Sequence, residues 1–266
     1  MGISQDQPDF RPEQAVDVAG VSIDLVRIGE GAPVLYLHSV DGVQPDGALL
    51  SQLARNHEVF APWHPGFGFS ERPAHFKTVG DLALFYLDFL EHFDLKDVIV
   101  VAPSFGGWLA NEIAIRDCSR ISKIVLIDPL GIKVGGREDR DIADMHAMSQ
   151  AELAAAAYHN PENGVRDYSV MHDWELWVTA RSREAYTLYG WCPYMHNPAL
   201  KHWLRRIKVP VLVIWGQSDG ITSSDYGKAY AAFYPHAQFQ LISEAGHYPH
   251  KEQPEKTLEF ISAFID

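Results

Sequence analysis

Cysteine is scarce in this chain, with only Cys118 and Cys192 among 266 residues. Two cannot build a disulfide framework, so the fold must rest on its core, and a reducing, cytoplasmic compartment is expected. Long apolar runs are also missing. None approaches the roughly 20 residues needed to cross a bilayer, so no membrane association is expected. The first residues, MGISQDQPDFRPEQ, are polar and lack the basic-then-apolar order of a secretion signal. Asp6 stands where an N-myristoylation signal wants Ser or Thr. Basic residues are in the minority, 22 against 35 acidic, for a formal charge of −13. Such a surface repels phosphate backbones and anionic membranes, which excludes nucleic acid as a partner and chiefly serves solubility. Repeats and low-complexity linkers are absent.

What is present is an ordered series of buried strands and helices. QAVDV and VSIDLVRIG alternate apolar and polar residues and predict two antiparallel strands joined at Ala19-Gly20. PVLYLHS, HEVFAPW, DVIVVA and SKIVLIDP are short continuous apolar runs, the pattern of strands buried on both faces. Helical stretches separate them at 46–56, 79–93 and 105–117. Strand, helix, strand in strict order predicts an α/β fold with a mostly parallel twisted sheet and helices on both faces. From about 130 to 206 the alternation stops and no strand is expected. It resumes with VPVLVIWG, a helix at 224–234, QFQLIS and a last helix from Pro254. We therefore expect a core of residues 1–130 and 207–266, with 131–206 inserted as a helical cap.

Three loops after buried strands carry chemistry. VVAPSFGGW places Ser104 at a sharp strand-to-helix turn, between the small residues Ala102 and Gly106. Small neighbours let a strained turn push Oγ out of the sheet edge, and the first amides of the next helix favour a nearby oxyanion. As a bland alternative, Ser104 could be no more than a helix N-cap. VIWGQSDG sets Asp219 after one later strand, and ISEAGHYPH sets His247 after the last. Loops after parallel strands gather at one rim of a sheet, so the three can meet. A serine needs a base to become nucleophilic, histidine works near neutrality, and a carboxylate orients the imidazole. Asp128, in LIDP, competes as the acid or as support. His250 and Glu252 beside His247 give only a weak metal-ligand spacing, and no metal or other cofactor is expected.

Taken together, LYLHSVDG, HPGFGFSERP, APSFGGW, VIWGQSD and EAGHYPHKEQP resemble the α/β-hydrolase superfamily over essentially the whole chain. The resemblance is closest to capped serine esterases of the carboxylesterase or pimeloyl-carrier-protein methyl-ester esterase kind. It implies Ser104 as nucleophile, His247 as base and Asp219 as acid, with the backbone amides of Val40 and Phe105 as oxyanion hole. Haloalkane dehalogenases and epoxide hydrolases of this fold carry aspartate at the elbow, so Ser104 argues against both. Two positions depart from the family pattern. Ser39 replaces the glycine that usually follows His38, which makes Val40 the less secure donor. His64 stands where an acidic residue is common and reads as a loop residue. The insertion is rich in aromatics, with Trp174, Trp177, Tyr186, Tyr189, Trp191, Tyr194 and Trp203 close together. Candidate pocket residues are His38, Ser39, Trp174, Trp177, Tyr189 and Trp191. The leading expectation is hydrolysis of a small-molecule ester, or lactone, with an apolar or aromatic group. Carbon–carbon hydrolysis of ring-cleavage diketones is the alternative enzyme class, and a non-catalytic ligand receptor is the third. Monomer and homodimer both stay open.

Overall fold

The computed structural model describes residues 14–266, so the start of the chain, including the Met1-Gly2 signal reading, lies outside the described residues. Eight strands form one sheet: β1 (Gln14–Val18), β2 (Val21–Ile28), β3 (Ala32–Tyr36), β4 (His57–Pro62), β5 (Val98–Pro103), β6 (Ile121–Ile127), β7 (Val211–Gly216) and β8 (Ala237–Ile242). Their spatial order is β1-β2-β4-β3-β5-β6-β7-β8. β1 and β2 form an antiparallel hairpin, and β2 lies antiparallel to β4. From β4 onward every neighbour is parallel. The hairpin turns on Ala19 and Gly20, both at positive φ, as a two-residue turn matched to strand twist requires.

The helices are α1 (Gly47–Leu53), α2 (Val79–His92), α3 (Phe105–Arg116), α4 (Gln150–Ala157), α5 (Asp173–Gly190), α6 (Leu200–Trp203), α7 (Ser224–Ala231), α8 (Pro249–Glu252) and α9 (Pro254–Ile265). Local signals set their starts. Thr78 caps α2 reciprocally with Asp81, and Ser149 caps α4 with Glu152. β5 and β7 are buried along their whole length, which explains their unbroken apolar runs. Between β6 and β7 the described chain makes α4, α5, α6 and short 3-10 turns, and its only β pairings there are two isolated bridges. Cys118 and Cys192 are both free thiols. Among the described residues no helix is long and apolar enough to cross a membrane.

Strand order reverses around β3, which has β4 on one side and β5 on the other. In a sheet of this kind the rim beyond the strand C-termini, near such a reversal, forms the crevice. Ser104 follows β5, Asp128 follows β6, Asp219 follows β7 and His247 follows β8, so all four residues lie at that rim.

Candidate active site

Ser104 sits in the turn between β5 and α3 with φ 50° and ψ −115°, a conformation few side-chain-bearing residues adopt. Its side chain makes no capping bond to α3, which removes the N-cap alternative. The turn is held by the Ser104 amide donating to the Ile127 carbonyl at 2.8 Å and by the Leu130 amide donating to the Ser104 carbonyl at 3.1 Å. Gly106 is obligatory on steric grounds, because a Cβ there would lie 1.8 Å from the Leu37 carbonyl oxygen. Ala102, the small residue two before Ser104, is fully buried. Pro103 ends β5, where a missing N–H costs no ladder bond.

Asp219 is fixed by its own loop. Oδ1 accepts from the amides of Ile221 (2.8 Å) and Thr222 (3.2 Å), and Oδ2 accepts from the Thr222 hydroxyl at 2.9 Å. His247 lies across from it, with Nδ1 2.8 Å from Asp219 Oδ2 and Nε2 2.8 Å from Ser104 Oγ. An Nδ1–H tautomer donates to Asp219 and leaves Nε2 as acceptor for the serine hydroxyl. All three side chains are nearly closed to solvent. Asp128, Asp219 and His247 also have the composition of a metal-ligand set. Both ring nitrogens of His247 are already hydrogen-bonded within the serine–histidine–aspartate chain, so the set does not read as a metal centre.

Phe105 opens α3, where the first amides have no intrahelical acceptor. Val40 is half-buried in the turn after β3, closed by the Gly42 amide donating to the Ser39 carbonyl at 3.2 Å. Beneath that turn His38 and His64 stack, with ring centroids 3.7 Å apart. The His64 amide donates to His38 Nε2 at 2.9 Å, so His38 carries its proton on Nδ1 and donates it to the Ser39 carbonyl. His64 Nε2 lies 3.0 Å from the His38 carbonyl, and its Nδ1 accepts from the Tyr86 hydroxyl. Burial pushes His38 down to about 4, and burial with the neighbouring His38 pushes His64 well below the ordinary imidazole range. Both rings are therefore neutral. The loop residue His64 is thus a buried brace for the His38–Val40 turn.

A cavity of about 370 Å³ lies beside the triad. Its wall includes Val40, Ile221, next but one to Asp219, and Tyr248, next to His247, together with Tyr186 and Met145 from the insertion. None of the six expected pocket residues lines it. His38, beneath the turn, and Ser39, which opens it, are both fully buried. Tyr189 donates to the Pro65 carbonyl at 3.0 Å and ties α5 to the loop after β4. Trp177 stacks on Phe69 at the surface, Trp174 packs partly buried against the core, and Trp191 is 61% exposed. The inner face of α5 is instead Arg183, Tyr186 and Thr187, spaced i, i+3, i+4. That helical spacing was the available signal, and the count of aromatics obscured it. At the polar end of the cavity Arg166 forms an ion pair with Asp41.

The family model that matches residues 15–260 is described as the alpha/beta hydrolase family. A 2-hydroxymuconate semialdehyde hydrolase of Pseudomonas sp. (strain CF600) is 25% identical, over 100% of this chain and 97% of its own length. A meta-cleavage product hydrolase from Pseudomonas fluorescens IP01 superimposes with a TM-score of 0.77 at 18% identity, covering 94% of this chain and 96% of that one. A putative lipase from Acinetobacter baumannii AYE gives 0.80 at 19% identity, covering 95% and 90%. These two structural likenesses speak to the fold alone. Elbow, rim, sheet order and a family match spanning nearly the whole chain agree, and the protein belongs to the alpha/beta hydrolase family.

Proposed function

We propose that the protein is a serine hydrolase that cleaves carboxylic esters, or lactones, of small to medium apolar substrates through an acyl-enzyme. The observation that carries this reading is the unbroken chain from Ser104 Oγ to His247 Nε2 and from His247 Nδ1 to Asp219 Oδ2, each link 2.8 Å. His247 takes the serine proton as Oγ attacks the ester carbonyl, and Asp219 stabilises the imidazolium that forms. The oxyanion falls to the amides of Phe105 and Val40. His247 then protonates the leaving alcohol, and water repeats the sequence to release the acid.

The cavity supports the substrate class. A volume near 370 Å³ is at the small end for ligand sites, and Tyr158, Tyr186, Tyr248 and Met145 supply apolar contact. Asp41 already neutralises Arg166, so an anionic substrate finds Arg183 as the remaining cationic wall residue. Residues 131–206 act in this reading as a cap over the rim. A second reading, carbon–carbon hydrolysis of ring-cleavage diketones, is favoured by the full-length similarity to the 2-hydroxymuconate semialdehyde hydrolase. The deciding assay offers purified protein p-nitrophenyl butyrate and a ring-cleavage dienoate. Ester turnover is expected to dominate and to fall by at least about 10³-fold in Ser104→Ala. Turnover of the dienoate alone would reverse the order of the two readings.

A further inference from the structure

Asp128 closes β6 at the same rim, one strand away from the loop of Asp219. It is fully buried, and its backbone stands at φ 44°, a strained value for a residue with a side chain. Such a conformation persists only where the surroundings over-determine it. Its amide donates to the Ile214 carbonyl at 3.0 Å, and its Oδ1 accepts from the Gly216 amide at 2.9 Å. Oδ2 has no conventional donor among the described residues. A carboxylate oxygen of Asp128, one of Asp219 and a ring nitrogen of His247 all lie within 4.8 Å of one another.

Two carboxyl groups so close and so buried cannot both hold a charge, so one keeps a proton. The donors decide which. Asp219 accepts from Ile221, Thr222 twice and His247, which occupies both of its oxygens. Asp128 accepts from Gly216 alone. The proton therefore sits on Asp128, and the neighbouring oxygen able to receive its O–H belongs to Asp219. Burial, reinforced by the Asp219 charge, pushes Asp128 well above the usual carboxylate range.

We propose that Asp128 is a positioning residue for the triad, a neutral acid that donates to Asp219 and takes over its role beside His247 when the Asp219 carboxylate is removed. The proposal rests on the serine-hydrolase reading. In an Asp219→Asn variant the neighbouring negative charge is gone while burial remains, and the imidazolium forming on His247 supplies the opposite charge that favours ionisation of Asp128, its proton leaving to solvent. Its carboxylate then stands close enough to stabilise the imidazolium after a side-chain rotation.

The test measures the rate at which a fluorophosphonate labels Ser104, which needs no knowledge of the substrate. Asp128→Asn keeps an N–H donor toward Asp219 and is expected to slow labelling by less than about tenfold. Asp219→Asn is expected to slow it about 10²-fold, short of the roughly 10⁴-fold loss seen when such an acid is replaced with no substitute. The double variant is expected to reach that larger loss. A double variant no slower than Asp219→Asn overturns the proposal. Thermal melts establish that each variant folds, with Asp128→Ser as the second choice at that position. Infrared difference spectra supply a readout that packing alone would not move. The carbonyl stretch of a protonated acid should be present at neutral pH and vanish in Asp128→Asn, and its absence from the wild type also overturns the proposal. A folded wild type that is never labelled would instead sink the serine-hydrolase reading, while the infrared band still reports on Asp128.

Discussion

At the scale of single residues, the site is held together by local conformations that a free chain would not choose. Ser104 turns its Oγ toward His247 only by adopting a backbone at positive φ, and no capping bond offsets the strain. Strain of this kind is worth about 1–3 kcal/mol. Glycine removes it, but raises the entropy of the unfolded chain by about 0.5–1 kcal/mol relative to alanine. Ser104→Gly is therefore expected to be more stable than Ser104→Ala by roughly 1 kcal/mol in urea unfolding. A Ser104→Gly midpoint below that of Ser104→Ala would show that the elbow is unstrained. The meeting of Ser104, Asp219 and His247 was legible in sequence because each sits in a loop after a strand of one mostly parallel sheet, and such loops gather at one rim. The brace made by His38, His64 and Tyr86 was not, since nothing in the spacing of His64 says that its ring turns inward to the His38 carbonyl.

At the scale of elements, α4 and the loops of Asp219 and His247 share hydrogen bonds. The last carbonyls of α4, on Ala156 and Ala157, accept from the amides of Gly220 and His247, each at 2.8 Å. These are orphan acceptors at a helix end, satisfied by the very loops that carry Asp219 and His247. The approach is close, since a Cβ on Gly246 would meet the Ala157 carbonyl oxygen at 2.5 Å. Glu252, at the end of α8, completes the junction. It accepts from the amides of Gly246 (2.7 Å), His159 (3.0 Å) and Asn160 (3.0 Å). Removing that carboxylate leaves three backbone donors without it, and hydrogen bonds to a charged group contribute about 1.5–3 kcal/mol each before solvent replaces them. Glu252→Ala is expected to lose about 2 kcal/mol in urea unfolding and to slow Ser104 labelling about tenfold. Unchanged labelling in a measurably destabilised variant would confine Glu252 to holding the fold. The hairpin strands were legible from a period of two, the central parallel strands from unbroken apolar runs and the long helices from a period of 3.6. α8 was not, because four residues carry no period, and the inner face of α5 was hidden by aromatics pointing elsewhere.

At the scale of the whole molecule, two forces set how stability changes with pH, and they oppose each other. The chain carries a formal charge of −13, so mild acidification relieves long-range repulsion and favours the folded state. The buried imidazoles act the other way. His38 is pushed down to about 4 by burial, against 6.5 when free, and burial likewise lowers His64. Between those values the unfolded chain binds protons that the folded protein does not, so stability falls as pH falls through that window, and the His38 share of the loss is complete below about 4. For His38 alone the 2.5-unit window corresponds to about 3 kcal/mol. Asp46 deepens the loss at lower pH. Burial alone would raise its carboxyl, but Lys251, His250 and Tyr36 hold it well below the usual range, so its contribution disappears as acid finally protonates it. Asp128 has the reverse sign. A raised acid favours the folded state only below its unfolded value, so it costs stability progressively as pH rises toward its own shifted value. Surface repulsion is screened by salt, whereas the buried histidines are shielded from it. Urea midpoints of Asp128→Asn, which lacks that opposing contribution, should therefore fall steeply from pH 7 to pH 4, and the fall should persist at about 0.5 M salt, where the Debye length is only a few ångströms. A midpoint that holds steady down to pH 4 in high salt would mean that His38 and His64 take up protons inside the fold, and the neutral stacked pair beneath the Val40 turn would have to be abandoned.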